Sequence, residues 1–179
     1  MNRFVAFLRA INVGGHRVKM SQLAELFESF DLLDVETFIA SGNVIFESED
    51  GNNEALEMTI ASGLQEALGY EVSTFIRSLD NLASIVNYEA FPQQSSDKSG
   101  DLNVAFLTEP LSEEQTKSLI AFETDIDAFV SHGREIHWRC SVKQSQSTFS
   151  NTKLERSLGI RTTFRSMNTL RRIVAKYAK

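Results

Sequence analysis

Cysteine is almost missing: Cys140 stands alone in 179 residues, which excludes an internal disulfide framework and fits a reducing compartment. Proline is nearly as scarce, with 2 residues, and 9 glycines are too few for a low-complexity chain. No apolar run approaches the roughly 20 residues that a membrane helix needs. The apolar stretch Phe4 to Leu8 is broken by Arg9, too soon for a secretory core. A cytoplasmic protein is therefore expected, with no membrane partner. Histidine is limited to His16, His132 and His137; His16 and His132 are each expected in a loop with no Cys or His at ligand spacing. No metal and no cofactor are expected.

Positive charge is also in short supply, with 18 Lys and Arg against 24 Asp and Glu, a net charge of −6. That balance argues against a general nucleic-acid binder. The average hides a split, because residues 151–179 hold eight cations and only Glu155 as an acid. A segment of this kind is either a basic surface or a basic element docked on an acidic body. The aromatics near it, Phe149, Phe164 and Tyr177, fall at core positions and not among exposed cations, so a single-strand binding platform is not expected.

What is present is a regular alternation of strand and helix signals. Arg3 to Leu8 is apolar on both faces, the mark of a central strand. Met20, Leu23, Leu26, Phe27 and Phe30 repeat at helical spacing, with Ser21 as the expected N-cap. Strands are expected at 35–39 and 44–46 around the turn Ala40-Ser41-Gly42-Asn43. A helix from Asn53 buries Leu56, Ile60, Leu64, Ala67 and Leu68 and stops at Gly69. A strand at 71–76 and a helix from Ser78 complete the set. After the polar stretch Gln93 to Asp101 the order restarts, with strands at 102–107, 125–130, 135–140 and 161–164. The helices of this second set are expected from Ser112 (a capping box with Gln115), over 150–158, and from Met167 to the C-terminus. Asn103-Val104-Ala105-Phe106-Leu107 echoes Phe4-Val5-Ala6-Phe7-Leu8 at an offset of 99.

Each half reads β-α-β-β-α-β plus a helix. The expected fold is α+β, a tandem of two ferredoxin-like plaits. Its expected boundaries are 1–91, a linker at 92–101, and 102–179 with a basic C-terminal helix. In such a plait the exit of the first strand lies beside the turn between the second and third. Arg9, Asn12, Gly14, Gly15 and Lys19 should then neighbour Ser41, Gly42 and Asn43. The same topology in the second half brings Lys153 close to Arg165 and Asn168, and if the two plaits pack in opposite orientations the two clusters are expected to face one cleft.

The glycine loop between the first strand and helix is the principal candidate site. Gly14 and Gly15 allow backbone N–H groups to converge on an anion, and Arg9, Arg17 and Lys19 add charge. The plain alternative is a tight connection in which Asn12 bonds its own loop. The stretch is neither a Walker loop nor a G-x-G-x-x-G. His137 and Cys140, three apart on a strand, point to opposite faces and make no nucleophile pair.

The stretch Leu8-Arg9-Ala10-Ile11-Asn12-Val13-Gly14-Gly15, then Met20, then Ser41-Gly42-Asn43-Val44-Ile45-Phe46, resembles the bacterial domain-of-unknown-function 1697 family, whose pattern is L-R-G-I-N-V-G-G followed by S-G-N-V-x-F. Ser150-Asn151-Thr152-Lys153-Leu154 and Thr163 to Leu170 resemble its C-terminal segments. Ala10 replaces the usual Gly, and Ser166-Met167 replaces Asn-Trp. The resemblance implies a tandem plait-like α+β fold and no particular activity. Three functions follow from the residues: a protein that binds an anionic or phosphorylated small molecule at the glycine loop, a self-associating interaction module (a homo-oligomer) without a ligand, or an enzyme for which no catalytic group can be named.

Overall fold

The computed structural model describes residues 1–39, 42–92 and 100–178. Ser41, most of the linker expected at 92–101, and Lys179 lie outside the described residues. The first half runs β1 (Asn2–Arg9), α1 (Met20–Glu28), β2 (Leu33–Thr37), β3 (Asn43–Ser48), α2 (Asn53–Leu68), β4 (Ser73–Ser78) and α3 (Leu79–Asn87). The second runs β5 (Asp101–Phe106), α4 (Glu113–Ile120), β6 (Asp127–His132), β7 (Glu135–Cys140), α5 (Asn151–Leu158), β8 (Thr163–Ser166) and α6 (Met167–Tyr177). The strands form two antiparallel four-stranded sheets, ordered β2-β3-β1-β4 and β6-β7-β5-β8. The molecule is thus mixed α+β, built from two repeated α/β units. No described helix is long and apolar enough to cross a membrane.

Packing divides the chain into one unit of Met1–Ala83 with Ile173–Lys179 and another of Ser84–Arg172. The limits of the packing units and of the element repeat therefore differ, because α3 and α6 each contribute to both units. In the first unit Phe4, Ala6, Leu8, Val44, Phe46 and Ile76 cover one sheet face and pack with Leu23, Phe27, Ile60 and Leu64 of the helices. Val5, Phe7, Ile45 and Phe75 are buried on the other face, so β1 is central, as its two apolar faces predict. In the second unit Ala105, Ile136, Trp138 and Cys140 pack with Leu119, Leu154 and Leu158. His137 lies across from Val104, on the face away from Cys140.

Several caps and boundaries follow sequence rules and several do not. Ser112 and Gln115 close both bonds of the capping box, and Gly69 and Gly159 end their helices in the left-handed region. Ser21 is not an N-cap: α1 begins at Met20, with Lys19 in the cap position and no side-chain bond. The earlier start lets Met20 pack on the core. Ala67 is exposed instead of buried. β2, β4, β6 and β8 are each displaced by about two residues from their apolar runs, because ladder partners set a strand's limits and its own hydrophobicity does not. His132, expected in a loop, ends β6 opposite Glu135.

Candidate functional site

The glycine loop is built against the turn after β2, within the first unit. The Leu8 N–H donates to the Gly42 carbonyl at 2.8 Å. A Cβ on Gly42 would lie 3.0 Å from Ile11 Cγ2 and 3.2 Å from Leu8 Cβ, so a side chain there would push the two loops apart. Asn43 is fully buried and its Nδ2 donates to the Phe38 carbonyl at 2.9 Å. Asn12 Oδ1 accepts the Val18 N–H at 2.7 Å, and Tyr70 donates its hydroxyl to the Ile11 carbonyl at 2.8 Å. His16 stacks on Tyr70 with ring centroids 4.0 Å apart. Arg9 is half-buried at the end of β1, and Lys19 is exposed at the start of α1. The polar side chains Asn12 and Asn43 are thus spent on holding the loop. Gly14 and Gly15 sit at φ +65° and +87°, exposed and with open space where a Cβ would be.

Ala10 lies in the same loop at φ +62°, a region that costs an L-residue roughly 1–2 kcal/mol. Glycine would relieve this and lose part of the gain to its freer unfolded chain, about 0.4–1 kcal/mol. Ala10→Gly is therefore expected to stabilise the protein by about 0.5–1 kcal/mol, read as a higher urea midpoint at unchanged slope. A lower midpoint would show that Ala10 is not strained.

Of the second-half candidates, Arg165 is buried and donates through Nη1 to Thr163 Oγ1 at 2.7 Å and to the Phe164 carbonyl at 2.9 Å. Burial pushes its guanidinium down to about 10, still fully charged at neutral pH. Lys153 is exposed and reaches the Thr148 carbonyl at 3.1 Å. Asn168 lies on the wall of an open cleft. Arg9, Asn12, Gly14, Gly15, Lys19, Gly42 and Asn43 belong to the first unit, and Lys153, Arg165 and Asn168 to the second.

That cleft, of about 1020 Å³, is contained in the second unit. Its walls come from the end of α3 and the residues after it (Asn87 to Phe91), the start of β5 (Asp101 to Asn103), Arg139, Gln144, and the β8–α6 junction with Ser166, Met167, Asn168 and Arg171. Ligand sites typically measure about 300–1,000 Å³ and mix apolar walls with a few directed polar groups. Tyr88, Phe91, Leu102 and Met167 supply the apolar part here. Glu89 and Asp101 bring negative charge, and Asp101 Oδ2 is occupied by the Gln144 N–H at 2.7 Å. Asn103 is 4% exposed, and its Nδ2 has no hydrogen-bond partner among the described residues. A buried donor left without an acceptor costs about 1–3 kcal/mol.

The internal repeat shows how unusual Asn103 is. Phe4 pairs with Ser78 across β1 and β4, and Asn103 pairs with Ser166 across β5 and β8, so the two positions are equivalent. The echoed segments of β1 and β5 differ only there. Phe4 is buried and stacks on Phe46 at 5.6 Å between centroids. A second echo runs through the helix starts: Arg77-Ser78-Leu79-Asp80-Asn81-Leu82 and Arg165-Ser166-Met167-Asn168-Thr169-Leu170. Each serine caps its helix, Ser78 Oγ accepting from the Asn81 N–H and Ser166 Oγ from the Thr169 N–H, both at 3.2 Å. Asn103, Asn168 and Arg171 thus stand where the first half has Phe4, Asp80 and Ala83.

The family model described as protein of unknown function (DUF1697) matches residues 1–137. The chain belongs to this family. The family match stops short of Arg139 and of the β8–α6 junction, so several walls of the cleft lie beyond it. The chain is also similar in structure to the conserved bacterial protein SP0830 from Streptococcus pneumoniae, with a TM-score of 0.74 and 22% identity over 100% of this chain and 99% of that one. At that identity the likeness concerns the fold. No curated protein matches the chain.

Sequence reasoning placed Asn168 among the candidates but missed Asn103, Arg139 and Arg171. His137 and Cys140 are both buried on opposite faces of β7. Burial pushes the Cys140 thiol up, the reverse of what a nucleophile needs.

Proposed function

We propose that this protein binds a small molecule in the cleft of the second unit. One observation carries the reading: a buried Asn103 donor without an acceptor among the described residues, at a position where the equivalent strand holds a phenylalanine. A core site that accepts an aromatic ring has no structural need of an amide, and an unmet donor is a cost that binding removes. The glycine loop then serves as a connector, a reading supported by the internal bonds of Asn12 and Asn43. We also infer that each half is a ferredoxin-like plait. The β-α-β-β-α-β order and the β2-β3-β1-β4 and β6-β7-β5-β8 strand orders support it.

Asn103→Leu tests the binding reading, since it keeps the side-chain volume close and removes the donor. The variant is expected to unfold at equal or higher denaturant, by up to about 1–3 kcal/mol, and to lose its response to ligands. In a thermal-shift screen of metabolites, a compound at 100 times its Kd stabilises the native protein by about 2.7 kcal/mol. Compounds that shift the native chain should leave Asn103→Leu unmoved. A variant that is strongly destabilised, or one that still responds to the same compounds, would overturn the reading.

A further inference from the structure

We infer that one wall of this cleft is a pH-sensitive strap: Tyr88 is clamped between two imidazoles, and a proton on His137 releases it. The release is a property of the three rings. Only its use, letting go of a bound molecule in acid, rests on the binding reading above. Tyr88 stands just beyond the end of α3 and lines the cleft. Its ring stacks on His132 at 4.0 Å between centroids, nearly parallel at 11°, and meets His137 at 5.2 Å and 53°. No strand carries Tyr88, and its backbone N–H reaches the Ile85 carbonyl by a long bond of 3.3 Å.

The two histidines share one face of the second sheet. His137 lies in β7 with Val130 of β6 and Val104 of β5 at its sides, and His132 ends β6 opposite Glu135. Glu135 and Arg139 flank His137 on its own strand, and Arg165 of β8 pairs with Val104 on the same face. Glu89 follows Tyr88 on the cleft wall. Of these charges, that of His132 bears on His137, and it opposes a proton there. His137 is 1% exposed, and its Nδ1 has no hydrogen-bond partner among the described residues. A charge placed there without an acceptor must reach water. The valines on either side are fixed in the ladder, so the side that yields is the one Tyr88 covers. In acid the segment from Tyr88 to Phe91 then leaves the wall, and the cleft loses two aromatic rings.

NMR of the full chain with labelled histidine, tyrosine and tryptophan tests this without any ligand. Between pH 7 and pH 5 the released population, read by relaxation dispersion at the Tyr88 ring, is expected to rise roughly 20-fold. The factor follows because burial holds the covered imidazole at about 4, whereas an uncovered one takes its proton at 6.5. The indole of Trp138, in the core on the opposite face of β7, should stay native throughout. Tyr88→Ala should let His137 titrate near 6.5, and His137→Gln should hold the released population constant over the same range. A His137 that still refuses its proton in Tyr88→Ala would overturn the clamp. Loss of the Tyr88 and Trp138 signals at one common midpoint would overturn it too, since the whole unit then unfolds and no strap moves. A screened compound that binds at pH 7, with Tyr88 unmoved at pH 5, overturns the strap and leaves the binding reading. Release of Tyr88 with no compound bound does the reverse.

Discussion

Replacing Glu57 with alanine is expected to destabilise the protein by about 3–5 kcal/mol, the usual cost of breaking a buried ion pair from one side. Glu57 sits on α2 with its side chain 8% exposed, 3.5 Å from the Nη1 of Arg77, which is 4% exposed. The same Oε1 accepts the Ile76 N–H at 2.7 Å. Truncation would therefore remove the carboxylate beside a buried guanidinium, which keeps its bond to the Ile76 carbonyl, and take the acceptor from a strand N–H. Glu57→Gln keeps an acceptor and loses the charge, so its cost should be smaller. The pair Glu57→Leu with Arg77→Met removes both charges and should recover most of the loss, because apolar replacements of buried pairs are often neutral. Equilibrium urea unfolding of the four proteins decides it. A double variant as unstable as Glu57→Ala would show that the loss comes from packing and not from the missing countercharge.

Acid should destabilise the second unit through His137. Burial, aided by the nearby His132, holds its imidazole down at about 4 instead of 6.5. Between those values the unfolded chain takes up a proton that the folded chain refuses, so stability is complete above about pH 6.5 and falls as the pH drops toward 4. The gap corresponds to about 3 kcal/mol. The structural setting agrees: His137 is 1% exposed, its Nδ1 has no partner among the described residues, and Tyr88 stands 5.2 Å away between ring centroids. Tyr88 in turn stacks on His132 at 4.0 Å. His137→Gln should flatten the difference in unfolding free energy between pH 7 and pH 4.5. An unchanged slope would mean that the imidazole titrates normally in the folded protein.

Much of the architecture was legible because it rests on local chemistry. Capping at Ser112, the glycine stops at 69 and 159, and the two-faced apolar run of β1 are read within a few residues. Glu57 was not legible in that way. It follows Leu56 in an ordinary amphipathic helix and looks solvent-facing until β4 brings Arg77 and the Ile76 N–H to it. Strand limits shifted for the same reason, since pairing belongs to two segments at once. Asn103 was missed, although the sequence holds a signal for it. The echo between β1 and β5 holds four identities and one substitution, and the substitution is the informative position. Arg139 and Arg171 carry no such mark, because a cation on a strand and a cation on a helix face look ordinary until a cleft groups them.

The membership of residues 173–179 in the first unit has a consequence for how the protein is made. Lys176 pairs with Glu36, 140 positions earlier, and Tyr177 packs edge-on against Phe38. A ribosome that has finished residue 83 has therefore not finished the first unit. At roughly 5–20 residues per second, about ten seconds pass before the closing segment emerges. During that interval the second unit is synthesised almost entirely, and the nascent first half waits with part of its final packing unmade.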